Sequence, residues 1–198
     1  MNRTAPRVSR RRVLAGGAAG AFALPTLLRA QNKRAIIDAA RRSVEVPAEI
    51  TRVFAAGPPA AIMLFTLAPD LLLGWTNEFR PAEKEFVPPR YADLPGVGRL
   101  TGRGNTANLE TVLALKPDLI VDYGTVDATY VSLANRVQQQ TGIPYILLDG
   151  KFERMADTYR LLGATVERRD TAEGHAAYAE NLLRALDRTL GSIPAERR

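Results

Sequence analysis

The chain has no cysteine. No disulfide framework can brace it, no thiolate can hold a metal, and there is no cysteine to carry a lipid, so the expectation is an ordinary packed core and no lipid anchor. Histidine occurs once, as His175 inside a helical stretch, with only Glu173 nearby as a potential co-ligand. That leaves no histidine-based relay or multi-histidine metal centre to assemble. Tryptophan also occurs once, as Trp75. Long hydrophobic runs are missing too. The weakly apolar stretch 13–28 is interrupted by Gly16, Gly17, Gly20 and Pro25, and it falls short of the roughly 20 strongly apolar residues that a spanning helix needs.

Acidic residues are absent from the first thirty positions, which hold Arg3, Arg7, Arg10, Arg11, Arg12 and Arg29. Setting those six aside from the 27 Lys+Arg leaves basic and acidic residues in balance, 21 of each. The high isoelectric point therefore belongs to this segment and not to a nucleic-acid-binding surface, which would need its basic residues in the folded domain. Ser9-Arg10-Arg11-Arg12-Val13-Leu14-Ala15 followed by an Ala/Gly-rich run is the pattern of a twin-arginine export signal, with cleavage expected after Ala30. The chain is thus expected in the periplasm, delivered by the twin-arginine export machinery. The remaining residues, about 168, suit one globular domain.

Apolar runs alternate with helical patterns after residue 32, which argues for an α/β fold: a parallel sheet with flanking helices, followed by one long helix. A small hairpin is expected from 35–38 and 43–46, ended by Pro47. Strands are expected at 52–55, 71–75, 119–121 and 145–148. Helices are expected from Gly57-Pro58 to Leu67, from Asn105 or Asn108 to Leu115, over 128–140 behind Asp127, over 155–162 broken at Gly163, and over 168–190. Between them, 77–105 reads as a long irregular loop.

In an open parallel sheet the loops after the strands converge, so the strand ends nominate the site: Ala56-Gly57-Pro58, Trp75-Thr76, Asp122-Tyr123-Gly124 and Asp149-Gly150. Trp75 and Tyr123 either offer aromatic faces there or are core aromatics at a strand edge. Gly102-Arg103-Gly104-Asn105-Thr106-Ala107 has the glycine spacing of a dinucleotide loop, and Asp122 stands near the position of a ribose-binding acid. An exported nucleotide-dependent oxidoreductase using the Gly102–Gly104 loop is therefore the alternative reading. Against it, Asp93-Leu94-Pro95-Gly96-Val97-Gly98 precedes that loop and reads as loop, not strand. No catalytic constellation is found, and a binding function is favoured.

Five blocks carry a resemblance: Ile36-Ile37-Asp38 with Val44-Glu45-Val46-Pro47; Leu94-Pro95-Gly96-Val97-Gly98; Asn108-Leu109-Glu110; Leu115-Lys116-Pro117-Asp118-Leu119-Ile120; and Thr141-Gly142-Ile143-Pro144. In order and spacing they resemble the periplasmic substrate-binding proteins of ABC transporters for ferric siderophores, haem and cobalamin. A glycine often found in that family's first turn is replaced around Ala40-Arg41. The resemblance implies a two-lobed fold with the ligand, a metal chelate, in the cleft between lobes, no resident cofactor, and delivery to an inner-membrane ABC permease. It divides the chain into a signal (1–30), a first lobe (31–166), a connecting helix (167–190) and the truncated start of a second lobe (191–198). On that division the chain by itself is expected to bind weakly or not at all. The implied ligand residues are Trp75, Tyr91, Arg103 and Tyr123. Those implied to dock the permease are Glu78, Glu83 and Glu85.

The export reading rests on Arg10 and Arg11, whose pairing is read by a receptor. Arg10→Lys with Arg11→Lys is expected to abolish periplasmic delivery of a reporter fusion. Unchanged delivery would refute the signal.

Overall fold

The structure is a computed structural model that describes residues 32–102, 104 and 107–193. The export segment with Arg10 and Arg11, the loop residue Arg103 and the terminal residues from 194 lie outside the described residues. Strands β1 (Lys33–Ile37) and β2 (Ser43–Pro47) form an antiparallel hairpin with Lys33 opposite Pro47 and Ile37 opposite Ser43. Val44 and Val46 are buried while Ser43 and Glu45 face out, as the two-residue period of a half-buried strand requires. The main sheet has three parallel strands in the order β3 (Val53–Ala55), β4 (Leu119–Gly124), β5 (Tyr145–Asp149).

This sheet is apolar on both faces because helices cover both. Val53, Ala55, Leu119, Val121, Ile146 and Leu148 point into one core, and Phe54, Ala56, Ile120, Tyr145 and Leu147 into the other. Helix α1 (Pro58–Leu67) packs on the first face. Its sequence is apolar nearly all round, and it opens behind Gly57 with prolines where their missing N–H groups cost least. Two short helices follow, α2 (Pro81–Lys84) and α3 (Pro89–Ala92). Helix α4 (Leu109–Leu115) is capped by Asn108, whose Oδ1 accepts the Thr111 N–H at 2.8 Å, and is stopped by Lys116 in the left-handed region before Pro117. Helix α5 (Ala128–Thr141) starts on Asp127, which accepts the N–H groups of Thr129 and Tyr130 at 2.8 and 3.1 Å, and ends at Gly142 with φ 71°. Val112 of α4 with Ala134 and Val137 of α5 fills the second core.

Helices α6 (Met155–Thr165) and α7 (Arg169–Gly191) pack together. The expected break at Gly163 does not occur. A Cβ built there would stand 2.2 Å from the Ala172 Cβ, so this glycine permits close helix contact inside α6. Arg160 bridges Glu173 and Glu180 across the same seam, and His175 packs on Tyr159 with its Nε2 3.0 Å from the Thr66 carbonyl oxygen. The expected strand over 71–75 is also corrected. Pro69–Leu71 is a single 3-10 turn, and only isolated bridges remain, Leu72 to Val53 and Trp75 to Gly96, because the turn leaves too short an extended run to pair. The irregular stretch 77–105 contains α2 and α3, each entered by a proline at its first turn.

The hairpin turn is tied to the open edge of β5. Ala39 donates its N–H to the Leu147 carbonyl at 2.9 Å, and Leu147 donates back to Asp38 Oδ2 at 3.2 Å. The buried Asp38 carboxylate also accepts the N–H groups of Ala40 and Arg42, both at 3.0 Å, and pairs with the Arg42 guanidinium at 2.6 Å. Removing one partner of such a pair strands a buried charge. Asp38→Ala is expected to cost about 3–5 kcal/mol in urea unfolding. Arg41 holds φ at 60°, the conformation a glycine takes without strain. Arg41→Gly should add about 0.5–1 kcal/mol, the relief of a left-handed side chain less the entropy a glycine returns to the unfolded chain.

Candidate functional site

Parallel strands leave their last carbonyl and N–H groups at one end, where the following loops must turn. Three such turns meet here. After β3, the Ala56 carbonyl accepts the N–H groups of Leu100 and Thr101 at 2.8 and 3.0 Å, which seats the 98–102 loop on the strand end. A Cβ on Gly57 would stand 2.7 Å from Thr101 Oγ1, so the loop lies as close as a glycine allows. After β4 and β5, Gly150 donates to the Gly124 carbonyl at 2.8 Å, and a Cβ on Gly150 would reach 2.7 Å from the Gly124 Cα.

Asp122, next to the end of β4, is the polar centre of this region. It is 5% exposed. Oδ1 accepts the Thr101 hydroxyl at 3.0 Å, and Oδ2 accepts the Tyr145 hydroxyl at 3.1 Å. Burial pushes its carboxyl above the usual range, and the hydrogen bonds from Thr101, Tyr145 and the Tyr123 backbone oppose that shift. Burial also raises the phenols of Tyr123 and Tyr145, the second further because Asp122 adds like charge. Asp122, Thr101, Tyr123 and Tyr130 line a hollow of about 190 Å³. It shares Gly124 and Thr125 with a second of about 300 Å³ that reaches Asp149 and Lys151. It shares Pro58 with a third of about 420 Å³, bordered by Trp75, Glu78, Phe79, Arg80 and Glu83. A larger hollow, about 540 Å³, opens at the opposite ends of the strands beside Pro117 and Pro144, away from the convergent loops.

The sequence-predicted residues separate into two groups. Trp75 and Tyr91 come together: the indole N–H donates to the Tyr91 carbonyl at 2.7 Å, and Phe65 lies 5.2 Å from the Trp75 ring and 5.5 Å from the Tyr91 ring. Trp75 is only 4% exposed and also contacts Phe79 at 4.8 Å, so most of its ring is spent on this cluster. Tyr91 is 8% exposed, and the Arg90 guanidinium lies 4.4 Å above its ring. Tyr123 belongs instead to the hollow with Asp122. Of the acids, Glu78 is exposed on the rim, Glu83 is ion-paired with Arg80, and Glu85 is exposed beside the prominent Phe86. Sequence reasoning missed Thr101, Tyr145 and Tyr130. Tyr145 carried no signal, because it reads as an ordinary core aromatic at the start of a strand.

The nucleotide alternative gains no support. Gly102 and Gly104 have positive φ, 93° and 68°, but loop precedes them and α4 starts only at Leu109. Among the described residues, no three histidine, aspartate or glutamate side chains gather as a metal site, and no helix is long and apolar enough to cross a membrane.

No family model matches the sequence, and no curated protein does. Solved structures match clearly. An ABC transporter solute-binding protein from Sulfurospirillum deleyianum is similar over 83% of this chain and 52% of its own, with TM-score 0.72 and 24% identity. The molybdate periplasmic binding protein of Haemophilus influenzae gives TM-score 0.63 at 18% identity, over 83% of this chain and 56% of its own. A siderophore-binding protein, solved with two acinetobactin molecules and ferric iron, gives 0.59 at 16%, over 82% and 56%. The chain spans about half the length of the proteins it matches, and it has the fold of one lobe of such a binding protein.

A carboxyl whose folded pKa is raised contributes stability that is complete below its unfolded value, near ~3.9, and is lost as pH rises through the folded value. The unfolding free energy of the unmodified chain relative to Asp122→Asn is therefore expected to fall as pH rises above the ordinary carboxylate range. A flat or rising difference in urea titrations would contradict the buried carboxyl.

Proposed function

We propose that this chain is the first lobe and connecting helix of a periplasmic solute-binding protein that hands a metal chelate to an inner-membrane ABC permease. The observation that carries this reading is the convergence of three adjoining hollows, which share lining residues, by the carboxyl ends of β3, β4 and β5, in a lobe whose fold matches solute-binding proteins. Tyr123, Tyr130, Thr101 and Thr125 bring aromatic faces and hydroxyls into the central hollow, among glycine, proline and leucine, which suits the outer surface of a chelator. In this reading there is no chemical step. Affinity would come from stacking, hydrogen bonding and desolvation, and the protein is not an enzyme.

In this reading 1–30 is the twin-arginine signal, 31–166 the lobe, 167–190 the connecting helix and 191–198 the start of a second lobe. Tyr123 contacts ligand directly. Trp75 and Tyr91 form the wall beside it, and Arg103 pairs with an anionic group. Glu78 and Glu85, both exposed, dock the permease; Glu83 does so with Arg80 holding it. The exported protein works unanchored in the periplasm.

A cleft shared by two lobes loses much of its contact area in one lobe. Titrating a ferric trishydroxamate, haem and cobalamin into the 198-residue chain, followed by Trp75 fluorescence, is expected to show saturation weaker than micromolar, that is, short of roughly −8 kcal/mol. Tyr123→Ala should weaken the best of them about tenfold, about 1.4 kcal/mol. Tight binding of NAD or NADP with no response to any chelate would reverse the reading.

A further inference from the structure

The central hollow has an acidic floor with no basic counterpart in its described lining. Asp122 is its one charged lining residue there. Each carboxylate oxygen accepts one hydroxyl, from Thr101 and from Tyr145, while a carboxylate has about four acceptor sites. Among the described residues, the groups facing it are Thr101 from the loop, Tyr145 from β5, Tyr130 from α5 and its neighbour Tyr123, none of them cationic. Arg42, which reaches the Tyr145 carbonyl from the hairpin turn, is committed to Asp38. The adjoining hollows carry Glu78, Glu83 and Asp149 against Arg80 and Lys151, and Arg80 is bound to Glu83.

A buried carboxylate without a charge partner is costly, and a ligand cation that reaches it offsets that cost. We propose that Asp122 is a specificity-determining residue of this cleft, accepting a hydrogen bond from an ammonium or similar cationic group on the chelate, so that of two chelates alike in size and metal the cationic one is retained. This rests on the chelate-binding reading above and adds the charge of the substrate to it. It also gives the preference a pH dependence: it is full where Asp122 is ionised and disappears as acid protonates it, whereas an ammonium stays charged throughout.

The test uses a linear ferric trishydroxamate that ends in an ammonium group and the same complex with that group acetylated, titrated into the 198-residue chain by Trp75 fluorescence up to millimolar concentration. At neutral to mildly alkaline pH the ammonium form is expected to bind about tenfold tighter, with the ratio falling to about twofold or less in Asp122→Asn and, in the unmodified chain, as the pH is lowered toward the ordinary carboxylate range. Equal affinities at the higher pH, or a preference that survives in Asp122→Asn, would overturn the proposal while leaving chelate binding intact. Failure of both complexes, haem and cobalamin to bind would overturn the chelate reading, and this inference with it. Should Asp122→Asn not fold, the unmodified chain decides by itself: a preference lost in acid supports the assignment, and one independent of pH overturns it.

Discussion

The ion pair between Asp38 and Arg42 is the constraint on which the arrangement of this lobe depends. A parallel sheet of three strands leaves the outer side of β5 with unmet backbone groups, and a buried edge of that kind is costly. The hairpin turn meets the need with few residues. Asp38 and Ala39 exchange hydrogen bonds with Leu147, while Arg42, held by Asp38, reaches the Tyr145 carbonyl at 2.6 Å and Asn135 of α5 at 2.8 Å. At the hairpin's other end Arg34 donates to the Ala164 carbonyl at 3.1 Å and to the Thr165 carbonyl, closing the C-terminus of α6. One small hairpin therefore fixes an edge strand and two helices, and Tyr145, so positioned, holds Asp122.

Asp118 does similar work between strands. Its carboxylate accepts the N–H groups of Thr51 and Arg52 at 2.9 and 3.0 Å, just before β3, while its own N–H donates to the Arg52 carbonyl at 2.8 Å. It sets β3 and β4 in register at their starts, so that their ends arrive together at the site. Asp38 and Asp118 both lie in the blocks on which the family resemblance rests, and both act on architecture. The residues proposed to meet ligand lie outside those blocks, which accords with neighbours of one fold whose names state different cargoes, molybdate in one and a ferric siderophore in another.

What could be read from the sequence was local. The hairpin, the strands β3, β4 and β5, the caps at Asp127 and Gly142, and Asn108 as one of two candidate caps follow from side-chain period and from single residues that satisfy or end a helix. The strand expected over 71–75 failed because an apolar run states burial and not conformation, and Pro69 bent it into a turn. Gly163 misled because a glycine in a helix reads as a stop until its neighbour is known; Ala172 is that neighbour, nine residues on.

The sequence by itself determined the α/β class, most element limits and the family resemblance, and it nominated the strand ends for a site, because each depends on spacing along the chain. Only the tertiary structure decided which side chains meet there. Asp122, read as a ribose-binding acid, became a buried carboxylate once Thr101 and Tyr145, 21 and 23 residues away, closed on it. Trp75, which the sequence left as either an open face or a core aromatic, is the centre of an aromatic cluster with Phe65, Phe79 and Tyr91. Burial and hydrogen bonding between residues distant in sequence follow from packing, and packing leaves no period for a sequence to display.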